Sequence, residues 1–192
     1  MLITVTGGSG SGKSEMAEAI AQAMVEGEKL YIATMCVYDE ESRKRIRKHR
    51  KQREGKQFRT LECPVHLEQA FFREKEDLIL LECISNLTAN EMYDERETKF
   101  SNPQKTAEHI IKGIRHLKEQ TKHLIIVTNE MFSEGTDRKE MRDYLDAAGR
   151  VNRQLMEESD IFIESVYGLP VFWKESPNLT MEKGSWKWKK ED

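Results

Sequence analysis

Cysteine is scarce in this chain, and no apolar run in it is long. Cys36, Cys63 and Cys83 are spread over 192 residues, with no CxxC pair and no Cys/His cluster at metal-ligand spacing. A disulfide framework and a zinc ribbon are excluded on that ground, and reduced thiols are expected. No hydrophobic stretch approaches the roughly 20 residues of a membrane span. The opening MLITVTGG enters a strand pattern with no charged segment and secretory apolar core ahead of it, so a cytoplasmic protein is expected. Net charge is also small. Although 34% of residues are charged, 31 Lys plus Arg against 34 Asp plus Glu leave −3, which is not the composition of a general nucleic-acid binder. There is no internal repeat, and no Asn-Lys-x-Asp motif of the kind that reads guanine in GTPases.

Short β-branched segments alternate with longer segments of helical period. LITVT, KLYIAT, FRTLE, LILLEC, HLIIVT and IFIESV read as strands, and several are apolar throughout, as strands covered on both faces are. Helices are predicted over Lys13 to Val25, Asp39 to about Arg53, Gln104 to Glu119 and Asp137 to Glu158, with a shorter one over Val65 to Arg73. The last long helix is expected to turn Met141, Tyr144, Leu145, Ala148, Val151 and Leu155 to one side. Such alternation implies a single α/β domain, doubly wound around a mostly parallel sheet with helices on both faces. The domain is drawn over residues 1–174. Residues 175–192, where Trp186 and Trp188 alternate with lysines, and the charged connection NEMYDERETKFSNPQ are expected to be mobile.

The first strand runs directly into GGSGSGKS, which satisfies G-x-x-x-x-G-K-[ST] and is followed at once by a helix. This is the P-loop context. Gly7, Gly8, Ser9, Gly10, Ser11 and Gly12 would let successive backbone N–H groups converge on phosphate oxygens at the positive end of the helix. Lys13 would reach the terminal phosphates, and the Ser14 hydroxyl would help to hold Mg²⁺ with GTP or ATP. Such a site also calls for an acid at the end of a neighbouring buried strand, and Glu82, after the apolar run DLILL, supplies one.

The stretch RKRIRKHRKQR, Arg43 to Arg53, is cationic with one histidine, His49, inside it. Three readings compete: a solvated helix face, a nucleic-acid contact, and a histidine nucleophile among phosphate-binding groups. Helical period puts Arg45, Lys48, His49 and Arg53 on one face and Arg43, Arg47 and Lys51 elsewhere. The run lacks interleaved aromatics, which counts against a single-strand-binding stripe.

With TGGSGSGKS, LYIAT, RIRKHR, FRTLE, LLECISN, VTNE, AGRVN and VYGLPVFWK in this order, the chain resembles the bifunctional adenosylcobinamide kinase and adenosylcobinamide-phosphate guanylyltransferase family of cobalamin assembly, over nearly everything up to Lys174. The resemblance implies phosphorylation of the cobinamide side-chain hydroxyl by a nucleoside triphosphate, then transfer of GMP from GTP through a guanylylated histidine, with release of pyrophosphate. His49 matches that histidine. Nearby cations suit such chemistry, because attack on an α-phosphorus builds negative charge on its oxygens and on the departing pyrophosphate. By the same matching, Ala33, Thr34, Met35, Arg50, Lys51, Gln52, Arg53, Glu62 and Glu82 fall on segments that contact GTP in the family. Glu82 is thereby left with two open roles, metal or nucleoside. A homotrimer and a seven-stranded sheet are also implied, with small-molecule partners, GTP, ATP and adenosylcobinamide, and no nucleic acid.

The chain departs from the family pattern in places. Met35 stands where serine is usual, MFSEGTDRKEMRDYLD replaces a glycine-rich segment after VTNE, and the Trp/Lys tail lies outside the likeness. His66, His109, His116 and His123 have no paired Asp or Cys at catalytic spacing and are expected to serve packing or surface roles. The Asn86 and Asn178 sequons read as coincidental. Two rival functions stay open: a P-loop small-molecule kinase whose basic helix is a lid and which forms no covalent nucleotide, and a non-catalytic nucleotide sensor or nucleic-acid binder.

Overall fold

The computed structural model describes residues 1–37, 39–93, 102–130 and 138–189, without the side chains of residues 41, 45 and 48. Seven strands form one sheet: β1 (Leu2–Thr6), β2 (Lys29–Ala33), β3 (Phe58–Glu62), β4 (Glu76–Glu82), β5 (Thr121–Val127), β6 (Ile161–Val166) and β7 (Leu169–Lys174), in the order β3-β2-β4-β5-β1-β6-β7. All pairings are parallel except β6 with the edge strand β7. The α/β expectation of a mostly parallel, doubly wound sheet therefore holds.

Alternation along the central strands builds two cores. Leu2, Leu30, Ile79, Leu81, Leu124 and Ile126 point to one face, while Ile3, Val5, Leu78, Leu80, Ile125 and Val127 point to the other. The first face is covered by α3 (Ile84–Met92), α4 (Pro103–Glu119) and α5 (Lys139–Glu158), the second by α1 (Lys13–Met24). α4 starts where its periodicity predicts, because Asn102 caps it by accepting from Lys105 N at 2.8 Å and Pro103 fixes the first turn. α2 (Glu40–Arg53) has a reciprocal cap between Asp39 and Ser42.

Several expectations are corrected. The helix predicted over Val65 to Arg73 is a single 3₁₀ turn, Leu67–Gln69, entered from a left-handed His66 (φ 59°) and ended where Ala70 turns extended (φ −77°, ψ 118°). Met141 is 44% exposed and leaves the apolar stripe of α5, which Tyr144, Ala147, Ala148, Val151 and Leu155 fill. The helix α3 was not anticipated: Ser85, Thr88 and Asn90 interrupt its apolar period, yet all three are buried, and Thr88 and Asn90 donate to backbone carbonyls there. β7 also escaped the sequence reading, since only one of its faces is covered. Residues 94–101 of the charged connection and 131–137 of the departing segment lie outside the described residues, as do the side chains of Arg45 and Lys48 in the face assignment of the basic helix.

The tail folds rather than frays. β8 (Leu179–Glu182) and β9 (Ser185–Trp188) form a hairpin around Lys183 and Gly184, both at positive φ, 49° and 79°. That pair of left-handed residues suits a tight two-residue hairpin turn. The Trp/Lys alternation is thus strand period: Trp186 and Trp188 pack on the α1 side of the core, with Leu179 only 2% exposed. Leu179→Ala is expected to cost about 2–4 kcal/mol in urea denaturation. An unchanged midpoint would mean that the hairpin is not part of the cooperative fold.

Candidate functional site

The site lies at the carboxyl ends of the parallel strands, where the first turn after β1 crosses to α1. Two of its glycines are dictated by space and angle. At Gly7 (φ 148°) a β-carbon would come within 2.6 Å of both Ser11 Oγ and Ser165 O. Gly12 (φ 87°) opens α1 in the left-handed region against Gly168. The β6–β7 turn braces the loop from behind: Gly168 N donates to Ser11 O at 2.8 Å, and Ser165 Oγ donates to the same carbonyl at 2.7 Å. Lys13 Nζ donates to Gly8 O at 3.0 Å and so lies folded over its own loop. Burial lowers the Lys13 pKa, against the opposing charges of Cys83, Glu82 and Glu15.

Glu82 is the acid of this site, but β4 does not neighbour β1 as expected; β5 stands between them. Helix α1 bridges the gap. Ser14 Oγ donates to Glu82 Oε1 at 2.5 Å, and Tyr31 Oη, from β2, donates to Glu82 Oε2 at 3.1 Å. Burial pushes the Tyr31 hydroxyl well above its ordinary range, so it remains a donor. Over the face of Tyr31 lies the Arg53 guanidinium, 3.5 Å from the ring centroid, a cation–π contact that holds the end of α2 against the sheet. His49 Nδ1 is 3.9 Å from Glu82 Oε1. Neither His49 Nδ1 nor Arg53 Nη1, both buried, has a hydrogen-bond partner among the described residues.

These groups surround a cavity of about 660 Å³. Its floor is the loop from Ser9 to Ser14. Ala33 and Met35 line it from the end of β2, His49, Arg50, Gln52 and Arg53 from α2, and Glu62 and Glu82 from the ends of β3 and β4. Four expected positions do not line it. Gly7 and Gly8 form the base of the loop, Lys51 is exposed on another face of α2, and Thr34 is buried, its hydroxyl accepting from Cys83 N and donating to Cys83 O, both at 2.8 Å. Arg50 Nη2 donates to Glu62 Oε1 at 2.7 Å, but both side chains are more than half exposed, so this pair is weak and readily exchanged for a ligand. Among the lining residues that sequence reasoning missed are Tyr31, Thr60, Asn86 and Asn129. For Asn129 a signal existed in VTNE and AGRVN: Thr128 Oγ1 donates to Asn152 Oδ1 at 2.6 Å, and Asn152 Nδ2 donates to Asn129 O at 3.1 Å, so the two segments fix each other at the cavity wall.

The basic helix is attached through polar contacts. Gln52 Nε2 donates to Glu15 Oε1 at 3.0 Å, and just beyond the helix Lys56 Nζ donates to Glu18 Oε2 at 2.6 Å. Glu18 is 1% exposed. Burial raises its carboxyl above the ordinary value, and Lys56 pulls it part of the way back. A carboxyl raised in the folded state costs stability as pH climbs from its unfolded value towards its folded one, and removing Lys56 enlarges that cost. Lys56→Ala is expected to lose about 2 kcal/mol at neutral pH, with the deficit shrinking as pH falls to the ordinary carboxylate range. Denaturation across that window measures it, and a pH-independent deficit would contradict the assignment.

Comparisons with known proteins identify the family and the fold. Residues 3–172 match the family described as cobinamide kinase / cobinamide phosphate guanyltransferase. The chain is 32% identical over 170 residues to the bifunctional adenosylcobalamin biosynthesis protein CobU of Salmonella typhimurium, covering 83% of this chain and 92% of that protein. It is equally 32% identical to the protein of the same description from Escherichia coli, over 81% of this chain and 90% of the other. Among solved structures, an ATPase from the type III secretion system of pathogenic bacteria superposes with a TM-score of 0.55 at 11% identity, over 89% of this chain and 56% of that one, a likeness of P-loop fold alone.

Proposed function

Because the chain belongs to the cobinamide kinase / cobinamide phosphate guanyltransferase family, we propose that its P-loop cavity carries out both family reactions on adenosylcobinamide. In the kinase step the side-chain hydroxyl oxygen attacks the γ-phosphorus of a nucleoside triphosphate. A new O–P bond forms, the bond to the β-bridging oxygen breaks, and the hydroxyl proton is released. Lys13 and the loop N–H groups offset the charge on the phosphates.

In the guanylyl step a ring nitrogen of His49 attacks the α-phosphorus of GTP. The N–P bond forms as the bond to the α,β-bridging oxygen breaks, and pyrophosphate leaves. The phosphate of adenosylcobinamide phosphate then displaces the imidazole, giving adenosylcobinamide-GDP. Glu82 supports a specific tautomer. Drawn in from 3.9 Å, it would hold the proton on Nδ1 and leave Nε2 to attack. The observation that carries this reading is that His49 and Arg53 line the same cavity as the P-loop, each with a buried nitrogen lacking a partner among the described residues.

Mg²⁺ suits the Ser14 hydroxyl and the Glu82 carboxylate, a pair of hard oxygens 2.5 Å apart beside the P-loop. When bound, it would neutralise charge on the β- and γ-phosphates. That reading and a nucleoside contact for Glu82 are compatible in turn, since two reactions use the one cavity.

A nucleic-acid role for the basic helix is disfavoured, because Arg47 and Arg50 are paired with Glu40 and Glu62 while His49 and Arg53 line the cavity. The free thiols of Cys36, Cys63 and Cys83 fit a reducing, cytoplasmic setting, and no described helix is long and apolar enough to cross a membrane. The exposed Tyr167, Leu169 and Trp173 on and beside the edge strand β7 support self-association into the homotrimer.

Incubation with GTP labelled at the α-phosphate tests the covalent step. A base-stable, acid-labile label is expected on the protein and is expected to disappear in His49→Ala. Phosphoryl transfer with no such label would establish the plain kinase instead.

A further inference from the structure

On the sheet face opposite α1, three segments converge away from the nucleotide cavity. His66 precedes the 3₁₀ turn that carries Glu68, Glu91 ends α3, and His109 lies on α4. One ligand atom from each of His66, Glu91 and His109 lies within 4.8 Å of the others. Glu91 is 8% exposed, and its Oε1 accepts from His66 N at 2.6 Å. The His109 ring is clamped between two acids, with Nδ1 3.1 Å from Glu91 Oε2 and Nε2 3.2 Å from Glu68 Oε1. Glu68 Oε1 is also 3.4 Å from His66 Nδ1.

A neutral imidazole has a single N–H, so it can donate to only one of these carboxylates. The other oxygen then faces a ring lone pair, which calls for a cation between them. A proton on His109 would answer both acids but would not join the His66 ring, which lies edge to face with it at 5.6 Å between centroids. A divalent ion resolves all of these contacts at once. It joins the His109 Nδ1 lone pair to Glu91 and draws in His66, while Glu68 accepts from the far side of His109 and orients the ring, the usual companion of a metal-bound histidine.

We propose that His66, Glu91 and His109 form a binding site for a borderline divalent transition ion of the Zn²⁺ class, oriented by Glu68. Two imidazoles and one carboxylate suit Zn²⁺ better than Mg²⁺, which prefers oxygen alone. Bonds near 2.0–2.1 Å place tetrahedral ligands about 3.4 Å apart. The His109–Glu91 pair, 3.1 Å apart, is close to that spacing, and His66, within 4.8 Å of both, would turn inward to complete it. The ion would clip the segment after β3 to α3 and α4. The neighbouring Asn90 donates to Thr34 O and Pro64 O at 2.8 and 2.9 Å, so the clip would steady the end of β2 beside the cavity. The proposal does not depend on the guanylyl reading.

The full chain, stripped with chelator and returned to excess Mg²⁺ at neutral pH, is to be titrated with Zn²⁺ by calorimetry and with Co²⁺ by visible spectroscopy. One equivalent of Zn²⁺ per chain is expected, together with the intense Co²⁺ bands of four-coordination. His109→Ala should abolish both signals, Glu68→Gln should weaken binding 10- to 100-fold, and His49→Ala should leave it intact. Far-UV circular dichroism confirms that each variant is folded. Should His109→Ala fail to fold, the unmutated chain and Glu68→Gln still decide. Absence of saturable Zn²⁺ binding by the unmutated chain, or binding undiminished in His109→Ala or Glu68→Gln, overturns the proposal.

Discussion

A nearly buried carboxylate at the end of β4 organises this molecule. Glu82 receives hydroxyl donors from Ser14 on α1 and Tyr31 on β2, faces His49 from α2, and lies close enough to Lys13 to oppose the effect of burial on its charge. An ionised carboxylate only accepts, so each of its oxygens must find a donor or a cation. Here the donors come from different elements of the fold. Satisfying Glu82 therefore places the P-loop serine, the tyrosine that carries Arg53 and the histidine helix around one cavity.

The two sides of that cavity are held very differently. The P-loop is fixed by its glycine angles and by the β6–β7 turn, which donates twice to Ser11 O. The helix α2 rests on a cation–π stack and on hydrogen bonds to Glu15 and, through Lys56, to Glu18. One wall is fixed by backbone geometry, and the other is attached by a few separate side-chain contacts. The proposed mechanism, in which a γ-phosphate meets a hydroxyl and an α-phosphate then meets His49, would benefit from this asymmetry. In that mechanism the triphosphate cradle would stay in place while the side carrying His49 and Arg53 adjusts.

Much of this was legible in the chain. The glycine spacing, the strand before it and the helix after it located the loop, and the apolar run ending in Glu82 located the acid. Six of the seven sheet strands followed from β-branched runs. What escaped has physical causes. The period of α3 is broken by polar residues that serve buried hydrogen bonds, and β7 is an edge strand covered on one face. The tail was expected to be mobile, whereas its alternating tryptophans and lysines mark the two faces of a hairpin strand. Thr34 was matched to a nucleotide contact, yet its side chain is committed to the backbone of Cys83. That β5 intervenes between β1 and β4 could not be read from strand composition, and neither could the meeting of His66, Glu91 and His109, which are brought together from three segments only by the fold.

The central claim is that one carboxylate serves both reactions. It is tested most directly by assaying kinase and guanylyl transfer separately on the same preparation of Glu82→Gln, a nearly isosteric change that removes the charge. Both rates should fall at least tenfold, with the thermal unfolding transition retained. Loss of one activity with the other at full rate, or full retention of both, would contradict the shared role of Glu82.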